Sequence, residues 1–259
     1  MALSESAPSF TSFRALGFDV FSTLIDEPKA LVTAIAPLVS QLSEDHEAKN
    51  SSAIAGAAFG RHENALQQKE PFMIFEDVLS AAYRALAREW HVKSDDKDAN
   101  AVAAILSRSS AFPDTVEALH VLSKHYKLIA LSNVSEKGIA TVMSGALKEA
   151  PFDAVLTAEK IGSYKPDLRN FETLMGKVKD LGFEKEELLM VAQGVASDHV
   201  PSKRLGINSV WISRDRPESE RGFDGIGAEH AGNVAFGWRY CTLGDMAKDV
   251  EKSFAAGSS

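Results

Sequence analysis

Four short apolar runs of this sequence lead into polar residues that could take part in catalysis. The polar residues lie in the segments "FDVFSTLID", "LSN", "GSYKPD" and "QGVASDH". A carboxylate held beside an ammonium group and hydroxyl donors can stay ionised and act as a nucleophile. The residues that could form such a set are Asp19, Thr23, Lys165 and Asp198, with Ser22, Ser132 and Asn133 as neighbouring hydrogen-bonding groups.

The apolar runs have the continuous hydrophobicity of parallel strands that are covered on both faces. They span residues 15–21, 127–134, 152–158, 188–194 and 209–214. Segments with helical periodicity separate the later runs, at 113–126, 167–183 and 197–207. This alternation predicts an α/β fold with a doubly wound, Rossmann-like parallel sheet as its core. Ligands of such sheets bind at the carboxyl ends of the strands, where the polar segments are expected to converge.

The sequence between the first two runs has a different pattern. Four amphipathic helices are predicted there, over residues 29–44, 50–68, 73–90 and 97–109, and no strand is indicated among them. We therefore expect an all-helical insert at 25–111, placed directly after the first strand of a core formed by 1–24 and 112–259. Residues 215–236 are rich in glycine and charge, which predicts a loop.

Each polar segment has an ordinary structural interpretation when it is taken alone. An aspartate at a strand end commonly caps the next turn, "KPD" is typical of a turn, and "SDHVP" is typical of a helix N-terminus. The order and spacing of the four segments are much harder to obtain by chance. Together, "FDVFSTLID", "LSN", "KPD" and "SDHVPSKRLG" resemble the four ordered motifs of the haloacid dehalogenase superfamily of hydrolases.

This resemblance covers the core, over residues 14–24 and 112–214. The "FDVF-T" opening and the later "VWISRDRPE" most resemble the type II 2-haloacid dehalogenase branch of the superfamily. The helical insert lies where that superfamily often places a helical cap domain over the active site. The resemblance therefore implies a hydrolase whose site lies between the core and a cap.

The resemblance also implies roles for the polar residues. Asp19 would be the nucleophile that forms a covalent ester, and Lys165 would supply the positive charge that keeps it ionised. Thr23 would donate a hydrogen bond, and Asp198 would orient water and Lys165. The implied substrate is a small anionic molecule, and this mechanism needs no cofactor. The expected substrate-binding residues are Phe21, Ser22, Ser132, Asn133 and Arg61.

A magnesium-dependent phosphatase of the same fold is the first alternative. Asp19 and Asp198 would then bind Mg²⁺ together with a backbone carbonyl. Phosphatases of the superfamily usually carry a second aspartate two residues after the nucleophile, which protonates the leaving group. Here that position is Phe21, which cannot carry a proton, whereas a halide leaves without one. Phe21 therefore favours the dehalogenase hypothesis, although plain core packing explains it equally well.

The sequence also departs from the dehalogenase pattern. That branch usually has tyrosine at the positions of Phe21 and Phe171, glycine at Ser22, and serine and asparagine at Gln193 and Val195. It uses an arginine of the early cap to hold the substrate carboxylate. Arg61 is the candidate for that role, although an exposed helical arginine beside Glu63 is its ordinary interpretation. These changes keep open a second alternative, a member of the superfamily that binds or regulates with little turnover.

Composition limits the partners and the compartment. The chain has 259 residues, a formal net charge of -8 and a pI of about 5.4. An acidic chain without basic tracts argues against nucleic acid and anionic membrane surfaces as partners. Cys241 is the single cysteine, and no run is long enough to span a membrane, so a cytoplasmic location is expected. The amphipathic helices could pack on a second copy of the chain as well as on their own core, so a homodimer is an open alternative.

Overall fold

The computed structural model describes residues 8–214, 234 and 236–257. Its strands are β1 (Ala15–Phe18), β2 (Lys127–Ser132), β3 (Ala154–Thr157), β4 (Leu188–Ala192), β5 (Asn208–Ile212) and β6 (Trp238–Tyr240). Its α-helices are α1 (Glu27–Val39), α2 (Ser52–Lys69), α3 (Phe75–Glu89), α4 (Asp96–Ser107), α5 (Thr115–Leu122), α6 (Glu136–Ser144), α7 (Ala158–Ile161), α8 (Leu168–Asp180), α9 (Val200–Leu205) and α10 (Leu243–Ala256). None of these helices is long and apolar enough to cross a membrane.

The six strands form one sheet in the order β3-β2-β1-β4-β5-β6, and every neighbouring pair is parallel. Phe18 at the end of β1 lies opposite Ala130 of β2 and Val191 of β4. The predicted α/β fold with a parallel sheet is thus confirmed. The sixth strand was not predicted, because an edge strand whose side chains are half-buried or exposed lacks a continuous apolar run.

Alternate side chains of the central strands enter two apolar layers on opposite faces of the sheet. In β2, Leu128 and Ala130 belong to the larger layer, while Ile129 and Leu131 belong to the smaller one beneath α8. Helix α8 lies so close to the sheet that a Cβ on Gly17 would come within 2.7 Å of a Leu174 methyl carbon. Burial on both faces makes these strands rigid supports for whatever follows them.

Helices α1 to α4 occupy the sequence between β1 and α5, close to the four predicted helical segments. The chain leaves and re-enters the sheet region at one place, because Ile25 forms an antiparallel bridge with Ala111. The Asp26 N–H donates to the Ser110 carbonyl at 2.9 Å. The division into a 25–111 cap and a core of 1–24 with 112–259 stays a prediction. The loop predicted over 215–236 lies outside the described residues, apart from residues 234 and 236.

His199, which precedes α9, joins that helix to two strands. Its side chain is fully buried, with Nε2 at 3.1 Å from the Ala192 carbonyl oxygen and Nδ1 at 2.9 Å from Ser209 Oγ. Burial lowers the pKa of His199 to about 4, so the imidazole is neutral at pH 7. Both ring nitrogens form hydrogen bonds within the fold, and His199 therefore has a structural role.

We expect His199 to make the protein less stable in mild acid. The unfolded imidazole gains a proton near pH 6.5 and the folded one only near pH 4, so the free energy of unfolding falls as the pH is lowered between these values. The His199 contribution to this loss is about 3 kcal/mol. Urea unfolding at several pH values should show a shallower acid loss for His199→Gln than for the wild type. Equal pH dependence in the two proteins would contradict this assignment.

Candidate active site

A cleft of about 260 Å³ lies at the carboxyl edge of the sheet. Its floor is formed by residues that follow β1, β2 and β4 and by Lys165, which follows α7. Its opposite wall comes from α2 and from Phe75 at the start of α3. Parallel strands present their carboxyl ends at one edge, so residues far apart in sequence meet there. The floor residues include Asp19, Phe21, Ser22, Ser132, Asn133, Lys165 and Gln193.

The Lys165 ammonium group lies between two carboxylates at the base of this cleft. Its Nζ is 2.7 Å from Asp19 Oδ1, 2.7 Å from Asp198 Oδ1 and 3.1 Å from the Leu131 carbonyl oxygen. An ammonium has three N–H donors, and each has an acceptor here. The side chains of Lys165 and Asp198 are 2% and 0% exposed, and that of Asp19 is 13% exposed. Of these three groups, the Asp19 carboxylate is therefore the one that a ligand in the cleft can contact.

Burial and charge act in opposite directions on these groups. Burial alone would lower the pKa of Lys165, but the charges of Asp19 and Asp198 outweigh it and raise the pKa above its usual value. Burial raises the pKa of Asp198 to about 7, even though the Lys165 ammonium opposes that rise. Near neutral pH the Asp198 carboxyl group therefore gains or loses a proton readily.

The turn after β1 fixes Asp19 and gives it a second hydrogen bond. The Asp19 N–H continues the strand ladder by donating to the Val191 carbonyl at 3.1 Å. The hydroxyl of the fully buried Thr23 donates to Asp19 Oδ2. The turn requires Ser22 to adopt a φ of 64°, which is unusual for a side chain other than glycine. This backbone conformation explains why glycine suits the position in the superfamily pattern.

The turn after β4 brings Asp198 to the ammonium. Residues Val195–His199 form a single π-helical turn, in which the Asp198 N–H donates to the Gly194 carbonyl at 3.2 Å. Ser197 Oγ donates to Asp198 Oδ2 at 2.6 Å. A Cβ at position 194 would lie 2.6 Å from Asp198 Oδ2, so only glycine allows this close packing. The turn therefore fixes the Asp198 carboxylate with one oxygen towards Lys165.

Asn133 lies in the cleft as predicted, and its side chain also holds the backbone of Lys165 in place. Its Oδ1 accepts from the Lys165 N–H at 2.7 Å, and its Nδ2 donates to the Lys165 carbonyl at 3.2 Å. The same amide group lies 3.5 Å from Oε1 of Gln67 on α2. The contact that the structure shows for the Asn133 side chain is therefore with the backbone of Lys165. The predicted contact with substrate stays a prediction.

The expectation for Arg61 is not supported by its position. Arg61 lies on the outer face of α2, where its side chain is 63% exposed and its Nη2 is 3.0 Å from Glu89 Oε1. A different face of α2 lines the cleft, and it carries Gly60, Glu63, Asn64, Gln67 and Gln68. The spacing of these residues is that of one helical face, and this polar stripe was the sequence signal that sequence reasoning missed.

The departures from the dehalogenase pattern lie in different surroundings. Phe171 is fully buried in the smaller apolar layer, and Val195 is also fully buried. Phe21 lines the cleft, with its ring centroid 6.5 Å from that of Phe75. Gln193 also lines the cleft. Two of the five changes therefore alter packing, and the other three, which include Ser22, alter the lining of the cleft.

The two carboxylates do not offer a ready site for Mg²⁺. One oxygen of each is bound to the Lys165 ammonium, and the others accept hydrogen bonds from Thr23 and Ser197. A divalent ion shared by Asp19 and Asp198 would compete with the Lys165 ammonium and the two hydroxyl groups for these oxygens. Among the described residues, no group of three or more His, Cys, Asp or Glu side chains is arranged to hold a metal. The magnesium site formed by the two carboxylates and a backbone carbonyl stays a prediction.

The comparison with known protein families assigns this parallel-sheet chain to a class of hydrolases. The family model for haloacid dehalogenase-like hydrolases matches residues 13–198. That range is most of the chain and includes every polar residue placed at the floor of the cleft. The chain belongs to this family, which confirms the superfamily predicted from the four motifs.

The similar proteins support the type II 2-haloacid dehalogenase branch. The chain is 25% identical over 219 residues to (S)-2-haloacid dehalogenase 4A of Burkholderia cepacia, a match that covers 81% of this chain and 87% of that protein. It is 26% identical over 144 residues to (S)-2-haloacid dehalogenase of Pseudomonas sp. (strain YL), covering 55% of this chain and 60% of that protein. L-2-haloacid dehalogenase from Xanthobacter autotrophicus shares the fold, with a TM-score of 0.74, 17% identity, and coverage of 92% and 98%.

Arg214, to which sequence reasoning assigned no role, holds the turn that contains Thr23. It follows β5, and its side chain is 3% exposed. Its Nε donates to the Thr23 carbonyl at 2.9 Å, and its Nη1 lies 2.7 and 2.9 Å from the two Asp114 carboxylate oxygens. The guanidinium also lies 4.1 Å from the centroid of the Phe112 ring. Arg214 therefore joins the turn after β1 to the segment by which the chain returns from α4.

We expect Arg214→Met to lower the free energy of unfolding by about 3 kcal/mol, because it leaves the Asp114 carboxylate without its buried partner. The matched control is Lys252→Met, which removes an ion pair with Asp249 at the surface and should cost less than about 1 kcal/mol. Urea unfolding of the two variants measures both values. Asp114→Asn added to Arg214→Met should recover part of the loss. Similar losses in the two single variants would contradict the role given to Arg214.

Proposed function

We propose that this protein is a metal-independent hydrolase that removes halide from a small (S)-2-haloacid through an ester on Asp19. The observation that carries the proposal is the ammonium of Lys165 between Asp19 and Asp198, at 2.7 Å from each. It places a positive charge directly against the cleft-facing carboxylate without a metal ion. The names of the similar proteins supply the substrate class.

The first step is a displacement at carbon. An Asp19 carboxylate oxygen attacks the carbon that bears the halogen, a carbon–oxygen bond forms, and the halide leaves with the bonding electrons. The product of this step is an ester between Asp19 and the 2-substituted acid. The hydrogen bond from Thr23 and the ion pair with Lys165 hold the attacking carboxylate in place. Near-attack positioning of this kind accounts for a large part of the rate of such reactions.

Phe21 supports halide as the leaving group. The ring lines the cleft two residues after Asp19, and with Phe75 it forms an apolar part of the wall. A halide needs no proton to leave, whereas the alkoxide of a phosphate ester leaves readily only when an acid protonates it. Neither phenylalanine can act as that acid. The magnesium-dependent phosphatase is therefore the weaker hypothesis, since it has no general acid at Phe21 and its two carboxylate ligands already bind the Lys165 ammonium.

The substrate carboxylate needs donors on the floor of the cleft. Ser132, which ends β2, is 2% exposed and lines the cleft beside Lys165. We place the substrate carboxylate at the Ser132 hydroxyl, because Arg61 lies on the outer face of α2. A cleft of about 260 Å³ is at the small end of ligand sites, which suits a short acid.

The second step is hydrolysis of the ester. Water adds to the Asp19 carbonyl carbon, and the bond from that carbon to the substrate oxygen breaks. One water proton goes to the departing oxygen and the other passes to solvent by way of Asp198, so a 2-hydroxy acid and the Asp19 carboxylate result. Carbon is attacked only once, and the configuration at that carbon is therefore inverted.

The direct test is halide release from L-2-chloropropionate by the purified protein in the presence of EDTA. We expect catalytic release by the wild type and none by Asp19→Asn, because the amide is not a nucleophile. Intact-mass analysis of samples quenched during turnover should show the ester on the wild type.

Two results would contradict this function. Release that EDTA abolishes and Mg²⁺ restores would show that the chemistry uses a metal. An absence of release from any 2-haloacid would remove the dehalogenase assignment. Phosphate esters with Mg²⁺ would then test the phosphatase, and failure there as well would favour a binding role with little turnover.

The pH dependence follows from Asp198. Its pKa is raised to about 7, and we expect the ionised form to be the active one because it receives the proton of the attacking water. The turnover number should therefore rise with pH through a midpoint near 7 and be constant above it. Asp198→Asn should be slow and should lack this midpoint. A turnover number that increases as the pH falls below 7 would contradict the assignment.

A further inference from the structure

A second, smaller cavity of about 100 Å³ adjoins the cleft. One of its walls is formed by residues 71–75, at the junction of α2 and α3, and the other by the segments that follow β2 and β3. Phe75 and Val134 line both this small cavity and the cleft. The two spaces therefore meet at these two side chains.

Two segments of the chain lead from the cleft to the small cavity. Along the first, Ser132 lines the cleft, Val134 lines both spaces, and Ser135 lines the small cavity. Along the second, Phe75 lines both spaces and residues 71–74 line the small cavity. We have placed the substrate carboxylate at Ser132. The small cavity is therefore the space that a substrate chain reaches when it extends from Ser132 beyond Val134 and Phe75.

Hydrogen bonds between the two walls keep the small cavity open. Tyr164 Oη donates to the Met73 carbonyl at 2.6 Å, and Ser135 Oγ donates to Glu76 Oε1 at 2.6 Å. Both bonds join the junction of α2 and α3 to the segments that follow β2 and β3. They also satisfy the hydroxyl groups of two polar residues of the lining. The cavity is thus formed before a ligand arrives, as is usual for binding sites.

The lining of the small cavity is mainly apolar. Residues 71–75 contribute a proline, a methionine, an isoleucine and two phenylalanines, and Val134 and Ala158 line the other side. Phe72 is 78% exposed, so the apolar surface extends to the mouth of the cavity. An apolar group that enters removes this surface from water, which is favourable. Glu159 also lines the cavity, and its negative charge would repel a second carboxylate there.

We propose that the small cavity binds the apolar end of the substrate, an inference that rests on the function proposed above. The substrate is then a 2-haloacid whose substituent at C2 is an uncharged chain of several carbons. Its carboxylate lies at Ser132, its halogen-bearing carbon at Asp19, and its chain passes Val134 and Phe75. No bond forms or breaks in the small cavity, which therefore sets the substrate preference and leaves the two chemical steps unchanged.

The first test is the chain-length dependence of halide release by the wild type. The value of kcat/KM should rise from L-2-chloropropionate to L-2-chlorohexanoate by about fourfold for each added methylene group that becomes buried. L-2-Chlorohexanedioate has the same chain length and ends in a second carboxylate, so it should be a poorer substrate than L-2-chlorohexanoate. Equal values for the propionate and the hexanoate would overturn the proposal.

A variant that fills the small cavity locates the effect. Ala158→Leu should lower kcat/KM for L-2-chlorohexanoate by roughly tenfold and leave that for L-2-chloropropionate within about twofold of the wild type. Ala104→Leu makes the same substitution at an exposed position of α4 and should change neither value. Ile74→Trp, at an exposed residue of the lining, replaces Ala158→Leu if that variant does not fold. An unchanged ratio of the two values in the filled variant would contradict the assignment.

Binding without turnover distinguishes this inference from the proposed function. Calorimetry on the wild type should show that hexanoate, which has no halogen and does not react, binds more tightly than propionate, and Ala158→Leu should remove the difference. Halide release without a chain-length effect in either measurement would overturn the inference and leave the function intact. An absence of halide release together with tighter binding of hexanoate would overturn the function and support the apolar site.

A second copy of this chain is the competing occupant, because Phe72 is exposed at the mouth of the small cavity. Size-exclusion chromatography of the wild type and of Phe72→Ser tests it. A dimer that Phe72→Ser converts to monomers, together with no effect of chain length, would show that a partner covers the cavity and would overturn the inference.

Discussion

An ammonium group shared by two buried carboxylates is the interaction on which the rest of the site depends. Removing three charges from water is costly, and their mutual attraction offsets this cost only where the geometry is accurate. The structure supplies that accuracy from three directions: the ladder behind Asp19, the amide of Asn133 on the Lys165 backbone, and the π-helical turn that carries Asp198. The parallel sheet therefore holds the Asp19 carboxylate against the Lys165 ammonium and at the same time leaves it open to the cleft.

The sequence predicted the sheet and the floor of the cleft because both follow from local patterns. A strand that is buried on both faces must be continuously apolar, so its end is visible where the first polar residue appears, as at Asp19 and Ser132. Parallel strands then bring those ends to one edge whatever their separation in the chain. The four motifs predicted the family, and the family model confirms it.

The remaining features depend on contacts that local patterns do not record. The packing of α2 determines which of its faces turns towards the cleft. Arg61 and Gln67 lie only six residues apart, yet Arg61 is exposed on the outer face and Gln67 lines the cleft. The ion pair of Arg214 and Asp114 joins residues that are a hundred positions apart, and no sequence pattern around either residue indicates its partner. The buried Oε1 of the Gln193 side chain has no hydrogen-bond partner among the described residues, which no sequence pattern expresses.

The bridge between Ile25 and Ala111 has a consequence for how such a protein can change over evolution. The helical segment leaves the sheet and returns to it at the same place, because its first and last residues meet there. Segments whose ends are adjacent can be exchanged or lengthened at small entropic cost and without altering strand order. The α2 and α3 wall of the cleft can therefore change over evolution while the polar residues at the strand ends stay in place.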